Sequence, residues 1–153
     1  VRTSSSMYFK LSMYDMVTGY AVKRLSRIAG LSESHAEPIS LLRYLPGQEY
    51  KPHYDYFAES GNRPELVEDR GGQRAVTVFA YLNDVGAGGE TDFPLLEVRV
   101  PAKQGKAVKF FNCLKDGTPN KKTLHAGMPV VKGEKWLATL WFREQPFIWG
   151  DKD

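Results

Sequence analysis

Lys135-Trp136-Leu137-Ala138-Thr139-Leu140-Trp141-Phe142-Arg143 alternates between two kinds of side chain along its whole length. In an extended segment, successive side chains point to opposite faces. Trp136, Ala138, Leu140 and Phe142 share an apolar face suited to the outer packing of a core. Lys135, Leu137, Thr139, Trp141 and Arg143 put a cation, a hydroxyl, an indole and a guanidinium on the other face, as the lining of a polar cavity would. A buried lysine is costly without a partner, so an inward Lys135 implies an anion nearby. A Lys135 that points to solvent would remove that implication.

Working outward, the chain from Ile39 onward is built of short segments rich in β-branched and aromatic residues, punctuated by Gly and Pro. Ile39–Leu45, Arg74–Asn83, Ala107–Asn112 and Lys135–Arg143 read as strands, with Tyr50–Tyr54 and Met128–Val131 as weaker ones. Turn signals stand at Pro46-Gly47, Gly71-Gly72, Gly86–Gly89, Lys103–Lys106, Asp116-Gly117 and Lys132–Glu134. Before Ile39, residues 13–30 carry apolar positions at Met13, Met16, Val17, Tyr20, Leu25 and Ile28, close to a helical period, and Gly30 is a plausible stop. Ser32–Ala36 has room for a further helical turn. Glu59–Arg70 is polar, holds Gly61 and Pro64, and reads as a mobile surface loop. Flanking N-terminal helices followed by many short strands predict a mainly β fold of the jelly-roll type.

The bulk numbers bound the possibilities. The 153 residues suit one domain, read over 1–153, with 42% apolar and 25% charged residues. A net charge of +3, with Lys and Arg dispersed, gives no footprint for nucleic acid. No apolar run approaches the length that spans a membrane, and Val1-Arg2-Thr3 opens no basic-then-apolar leader. The missing initiator Met suggests a mature fragment or a trimmed chain. Cys113 is the sole cysteine, which excludes an internal disulfide and favours a reducing, cytoplasmic setting. Oligomeric state is not legible.

Two of the chain's three histidines fall in one spaced set: His53-Tyr54-Asp55, then His125, then Lys135 ten residues on. Residues i and i+2 of an extended segment point the same way, so His53 and Asp55 can reach one metal together. Two histidines and one carboxylate leave the opposite face of an ion open, as in non-haem Fe(II) oxygenases. A lysine beyond the last ligand supplies a cation for a dicarboxylate co-substrate. Taken singly, each residue has a plainer reading. His-x-Asp is commonly a hydrogen-bonded pair, and His125 alone reads as a buried histidine satisfied by backbone.

These residues sit in a longer pattern. Tyr44-x-x-Gly47-Gln48-x-Tyr50-x-x-His53-Tyr54-Asp55-Tyr56-Phe57 strongly resembles the entry motif of the prolyl 4-hydroxylase catalytic domain. Gly72-Gln73-Arg74, Tyr81-Leu82-Asn83-Asp84-Val85, Gly88-Gly89-Glu90-Thr91, Leu124-His125-Ala126-Gly127 and Lys132-Gly133-x-Lys135-Trp136-x-Ala138-Thr139 follow in the family's order, so the resemblance runs from about Thr3 to Phe147. The chain is similar to bacterial and plant-type single-domain members, with the usual N-terminal strands truncated. The resemblance implies a double-stranded β-helix using Fe(II), 2-oxoglutarate and O2, with ascorbate as reductant, to hydroxylate prolyl residues of peptides or proteins and release succinate and carbon dioxide. By position, His53, Asp55 and His125 would be the iron ligands. Lys135 would bind the far carboxylate of 2-oxoglutarate, Tyr44 and Thr91 would support it, and Trp141 would wall the pocket. Tyr50 and Arg74 match positions that contact peptide.

Tyr44 and Trp141 also read as core aromatics, Thr91 as a turn residue and Arg74 as a surface charge. Arg143 is a departure, since plant-type members carry a histidine there in a substrate-facing position. A planar, permanently charged fork suits a peptide carbonyl or an acidic neighbour, and equally a different substrate. The rivals are therefore a dioxygenase of the same chemistry with a non-prolyl substrate, a non-catalytic module that binds proline-rich peptides, and a Zn(II) hydrolase. No His-Glu-x-x-His motif supports the last.

Overall fold

The computed structural model describes residues 1–58 and 70–150. The loop read over Glu59–Arg70 therefore lies outside the described residues, apart from Arg70. In chain order the strands are β1 (Ser5–Tyr8), β2 (Ser40–Tyr44), β3 (Tyr50–His53), β4 (Arg74–Tyr81), β5 (Ala87–Gly88), β6 (Thr91–Phe93), β7 (Val98–Val100), β8 (Ala107–Phe111), β9 (His125–Gly127), β10 (Val130–Lys132) and β11 (Lys135–Arg143). One helix, α1 (Met16–Ala29), precedes β2, and Glu33–His35 forms a short 3₁₀ turn where a helical turn was expected.

All pairings are antiparallel. The larger sheet runs β1-β2-β11-β4-β8, a four-stranded sheet runs β3-β9-β6-β7, and β10 pairs with β5. Two facing sheets of short antiparallel strands make the jelly-roll architecture that the composition predicted. β11 occupies the centre of the larger sheet, with Lys135 opposite Tyr44 and Trp141 opposite Thr77.

The two faces of that sheet bury different things. On the outer face, Val76, Val78, Ala138, Leu140 and Phe142 pack with Val22, Leu25 and Ala29 of α1. On the inner face, Leu42, Tyr44, Phe79, Tyr81 and Leu137 join Phe93, Ala102, Phe110 and Val130. α1 is set by its ends. Asp15 caps the Thr18 N–H, the Thr18 hydroxyl caps Asp15 in return, and Gly30 closes the helix at φ 75°.

The helix seats on a different face from the one its large apolar residues mark. Met16, Val17, Tyr20 and Ile28 are exposed, as is Met13 before it. The buried stripe is Val22, Leu25, Ser26 and Ala29, at spacing i, i+3, i+4, i+7. Ser26 and Ala29 are small, which lets the helix axis approach the sheet more closely than a bulkier face would allow.

Candidate metal centre and its cavity

β3 and β9 are neighbours, and their register sets His53 directly opposite His125. The strand that ends at His53 carries the chain two residues further to Asp55, which lies 8% exposed beneath the pair. Asp55 Oδ1 stands 3.6 Å from His53 Nε2 and 3.8 Å from His125 Nε2. One ligand atom from each of the three residues falls within a 4.8 Å cluster.

Each imidazole is aimed from behind. His53 Nδ1 lies 2.8 Å from the Lys51 carbonyl and His125 Nδ1 lies 2.9 Å from the Thr123 carbonyl. A carbonyl only accepts, so the Nδ1 positions carry the protons and the Nε2 lone pairs are left to face Asp55. Aromatic rings complete the wall. Tyr50 stacks on His53 at 3.5 Å between centroids, and Phe110 and Phe93 flank His125 at 4.9 and 5.5 Å.

The electrostatics suit a cation. Burial, with the charge of His125 second, lowers His53 to a pKa of about 4, so it is neutral and ready to donate a lone pair at ordinary pH. Burial alone would raise Asp55. Electrostatic interaction with His125, the Arg74 guanidinium and His53, and the hydrogen bond from Thr77, outweigh it, so this carboxyl sits below the usual carboxylate range. First-row divalent ions bind nitrogen and oxygen at about 2.1 Å and so set neighbouring ligands about 3 Å apart. The observed separations need only a small closure around an ion, and the donor set fits one.

The centre opens on a 130 Å³ cavity lined by inward residues of both sheets. Lys135, Leu137, Thr139 and Trp141 of β11 all line it, as the alternation predicted. Lys135 is fully buried, with Nζ donating to the Gly89 carbonyl at 3.0 Å and lying 4.0 Å from the Tyr44 ring centre. Among the described residues no carboxylate pairs with it. Burial pushes its pKa down to about 8, with Glu90 pulling the other way. Its carbonyl partner depends on glycine. Gly88 and Gly89 both hold φ 73°, and a side chain at Gly88 would collide with the Pro129 carbonyl.

The other expected residues fall around the same space. Tyr44, Tyr50, Arg74 and Thr91 line the cavity with the histidines and Asp55. Tyr44 is 2% exposed, and burial raises its pKa to about 12. Thr91 Oγ1 lies 2.7 Å from the Tyr81 hydroxyl. Arg74 spans two spaces. Its guanidinium covers the Trp141 ring at 4.2 Å and makes two 2.7 Å bonds to Glu37. Arg143, the fifth residue of the inward face of β11, lines a neighbouring 360 Å³ cavity instead. The β11–β4 register breaks between Phe142 and Arg143, which takes Arg143 out of the line of its predecessors. There it bonds Glu37 at 2.6 Å and the Gly72 carbonyl at 2.6 Å. His35, the third histidine, stands apart with Nδ1 3.0 Å from the Arg143 carbonyl.

Three polar residues of this site had no signal in motif or spacing. Thr77 donates to Asp55 Oδ2 at 2.8 Å, Asn112 donates to Thr77 at 2.8 Å, and Glu37 links the two arginines. Strand parity alone could have found Thr77, because it shares a face of β4 with Phe79 and Tyr81.

Comparison with known proteins agrees with this geometry. Residues 39–143 match the family model described as the 2OG-Fe(II) oxygenase superfamily. "Probable prolyl 4-hydroxylase 7" of Arabidopsis thaliana is 38% identical over 165 residues, covering 96% of this chain and 50% of the relative. Prolyl 4-hydroxylase 5 of the same plant is 36% identical, with 96% and 55% covered. The chain thus spans about half the length of the curated relatives it matches. Among solved structures, the viral collagen prolyl hydroxylase of Paramecium bursaria Chlorella virus-1, in its 2OG complex, superposes with a TM-score of 0.74 at 31% identity, over 92% of this chain and 79% of that one. The chain belongs to the 2OG-Fe(II) oxygenase superfamily and, within it, to the prolyl hydroxylases.

Proposed function

We propose that this chain is the catalytic part of an Fe(II)- and 2-oxoglutarate-dependent prolyl 4-hydroxylase acting on peptides or proteins. The observation that carries the reading is a single cavity with a His53–Asp55–His125 cluster and, in the same wall, a buried lysine that lacks a carboxylate partner among the described residues. His53, Asp55 and His125 would hold the iron. Lys135 would take the far carboxylate of 2-oxoglutarate, Tyr44 and Thr91 would add hydroxyls, and Trp141 would close the side. When bound, iron and 2-oxoglutarate supply the oxidation: O2 is consumed, 2-oxoglutarate leaves as succinate and carbon dioxide, and one oxygen atom enters a substrate C–H bond.

The protein's own part is placement. The backbone carbonyls behind His53 and His125 fix which nitrogen faces the ion. Lys135 fixes one end of the co-substrate, which sets where its other end lies. The aromatic lining keeps water out of the reacting space.

Tyr50, Arg74 and Arg143 are the residues we assign to the peptide. Tyr50 lies against His53 at the cavity wall, Arg74 borders both cavities, and Arg143 lines the second. Residues flanking the target proline would occupy that second cavity, whose walls include Phe9, Pro38, Phe57 and Phe147. Extended proline-rich chains bind such aromatic surfaces at little ordering cost. Ascorbate is the reductant we expect to keep the iron ferrous. Among the described residues no helix is long and apolar enough to cross a membrane.

The test is mass spectrometry of proline-containing peptides incubated with the protein, Fe(II), 2-oxoglutarate and ascorbate in air. A gain of one oxygen on proline that requires 2-oxoglutarate is the expected result. Succinate release with no peptide oxidised would instead support the same chemistry on another substrate.

A further inference from the structure

We infer that Asn112 and Thr77 form a directed hydrogen-bond relay that holds Asp55 to its metal through one oxygen only. The inference rests on the metal reading above and names residues outside the ligand set. Asp55 turns Oδ1 toward both Nε2 atoms, at 3.6 and 3.8 Å, while Oδ2 accepts from the Thr77 hydroxyl at 2.8 Å. Thr77 Oγ1 in turn accepts from Asn112 Nδ2 at 2.8 Å. Thr77 is 1% exposed and Asn112 is fully buried.

The chemistry of the three groups fixes the direction. A carboxylate can only accept, so Thr77 must give Asp55 its single proton. The Thr77 oxygen then needs a donor, which the Asn112 amide supplies. Were the Asn112 carbonyl turned to Thr77, it would compete with Asp55 for the same proton and leave a carboxylate oxygen against hydroxyl lone pairs.

The relay is rooted in the sheet. Asp55 lies beyond the end of β3, outside any strand, whereas Thr77 sits in β4 with Trp141 and Phe110 opposite it on either side. Asn112 follows β8 and is pinned at both backbone groups. Its N–H donates to the Ala75 carbonyl at 2.8 Å, and its carbonyl accepts from the Asn120 N–H at 2.8 Å. The ligand that lies outside the strands is thus tethered to the larger sheet.

The consequence concerns how many positions on the ion stay open. A carboxylate that offers both oxygens fills two of them. With Oδ2 committed to Thr77, Asp55 fills one, and the opposite face of the ion is left whole for co-substrate and oxygen. Thr77 and Asn112 act here as positioning residues, through Asp55.

The experiment is titration of the whole chain with Co(II) by calorimetry, together with the visible absorption spectrum of the Co(II) form, which reports coordination number. Thr77→Val keeps the shape and removes the proton, and should weaken Co(II) binding by about 10- to 100-fold with an altered spectrum. Thr77→Ser keeps the hydroxyl and should restore both. Asn112→Leu should weaken binding by less than Thr77→Val, and the double variant should be no weaker than Thr77→Val alone, because the second change has nothing left to orient. Unchanged affinity and spectrum in Thr77→Val, or a Thr77→Ser protein that behaves like Thr77→Val, would overturn the relay. If Thr77→Val fails to fold, the Thr77→Ser and Asn112→Leu pair decides between the same outcomes. Failure of the unaltered chain to bind Co(II) at all would overturn the metal reading instead, so the two ideas fail separately.

Discussion

The outer and inner faces of the larger sheet are made from the same two central strands, yet they do opposite things. Outward, β4 and β11 present Val76, Val78, Ala138, Leu140 and Phe142, which bury against α1 with no polar atom among their side chains. Inward, the same strands present Thr77, Phe79, Lys135, Thr139 and Trp141, which line the cavity. The pleat separates stabilisation from chemistry by one residue. A costly inward group such as Lys135 is tolerated because Ala138, Leu140 and Phe142, on the other face of the same strand, bury apolar surface.

The comparison breaks most visibly at the metal. Asp55→Ala removes the only charged ligand from a buried cluster, a loss of at least about 3 kcal/mol, or over a hundredfold in affinity. Calorimetric titration with Co(II) or Fe(II) should show no saturable site, while the thermal midpoint stays near that of the parent. Retained binding would mean that another group completes the site. On the outer face, Leu140→Ala should do the reverse. Leu140 is fully buried, and truncation there costs about 2–5 kcal/mol. That lowers the melting temperature by about 5–15 °C, with metal and 2-oxoglutarate affinities unchanged in the folded fraction. Equal damage to both would show that the two faces are mechanically coupled. Smaller again is Lys135→Met, which keeps the stem and deletes the charge. Losing one partner of a buried charged pair costs about 2 kcal/mol or more, so 2-oxoglutarate should bind about 30-fold more weakly to a protein that still takes up metal. Loss of metal together with co-substrate would mean that Lys135 supports the centre itself.

This division also explains what could be read without coordinates. Lys135–Arg143 was legible in its bounds, and its faces followed the alternation as far as Phe142, where the register breaks and Arg143 leaves the line. Jelly-roll class and the four-residue site pattern were legible for the same kind of reason, since spacing survives in sequence. Strands β1, β5, β6, β7 and β9 were not foreseen. They have two to four residues each, too few to show a period, and they are extended because of what they pair with. Gly86–Gly89 reads as a turn, yet two of its residues pair with β10. The period of the apolar residues shows that α1 is helical but not how it seats, because Met16, Val17 and Tyr20 outweigh Ser26 and Ala29 in apolar bulk, whereas close approach to a sheet selects for small side chains. Glu37, Thr77 and Asn112 had no motif at all. Strand parity marks the inward face of Thr77, but the roles of all three exist only once the strands that carry or flank them are brought together.

Lys135 offers the finest test, because its charge should show opposite signs in two measurements. Burial holds its pKa at about 8 in the folded protein, against an ordinary value of 10.5. Between those values the unfolded chain keeps a proton that the folded chain has released. The contribution of Lys135 to stability therefore rises with pH across that window, and is lost as pH falls back through about 8. Co-substrate binding runs the other way, since a dicarboxylate needs the ammonium. Affinity for 2-oxoglutarate should be level up to about pH 8 and then fall toward tenfold per unit. Lys135→Arg, permanently charged, should bind less well because its planar fork is larger than the ammonium that lies 4.0 Å from the Tyr44 ring centre, but its affinity should not fall above pH 8 as the parent's does. Denaturant unfolding of the parent and of Lys135→Met across the same range isolates the stability half. A parent affinity that stays level to pH 9.5 would mean that Lys135 keeps its proton in the cavity, and that something in the fold already meets its charge.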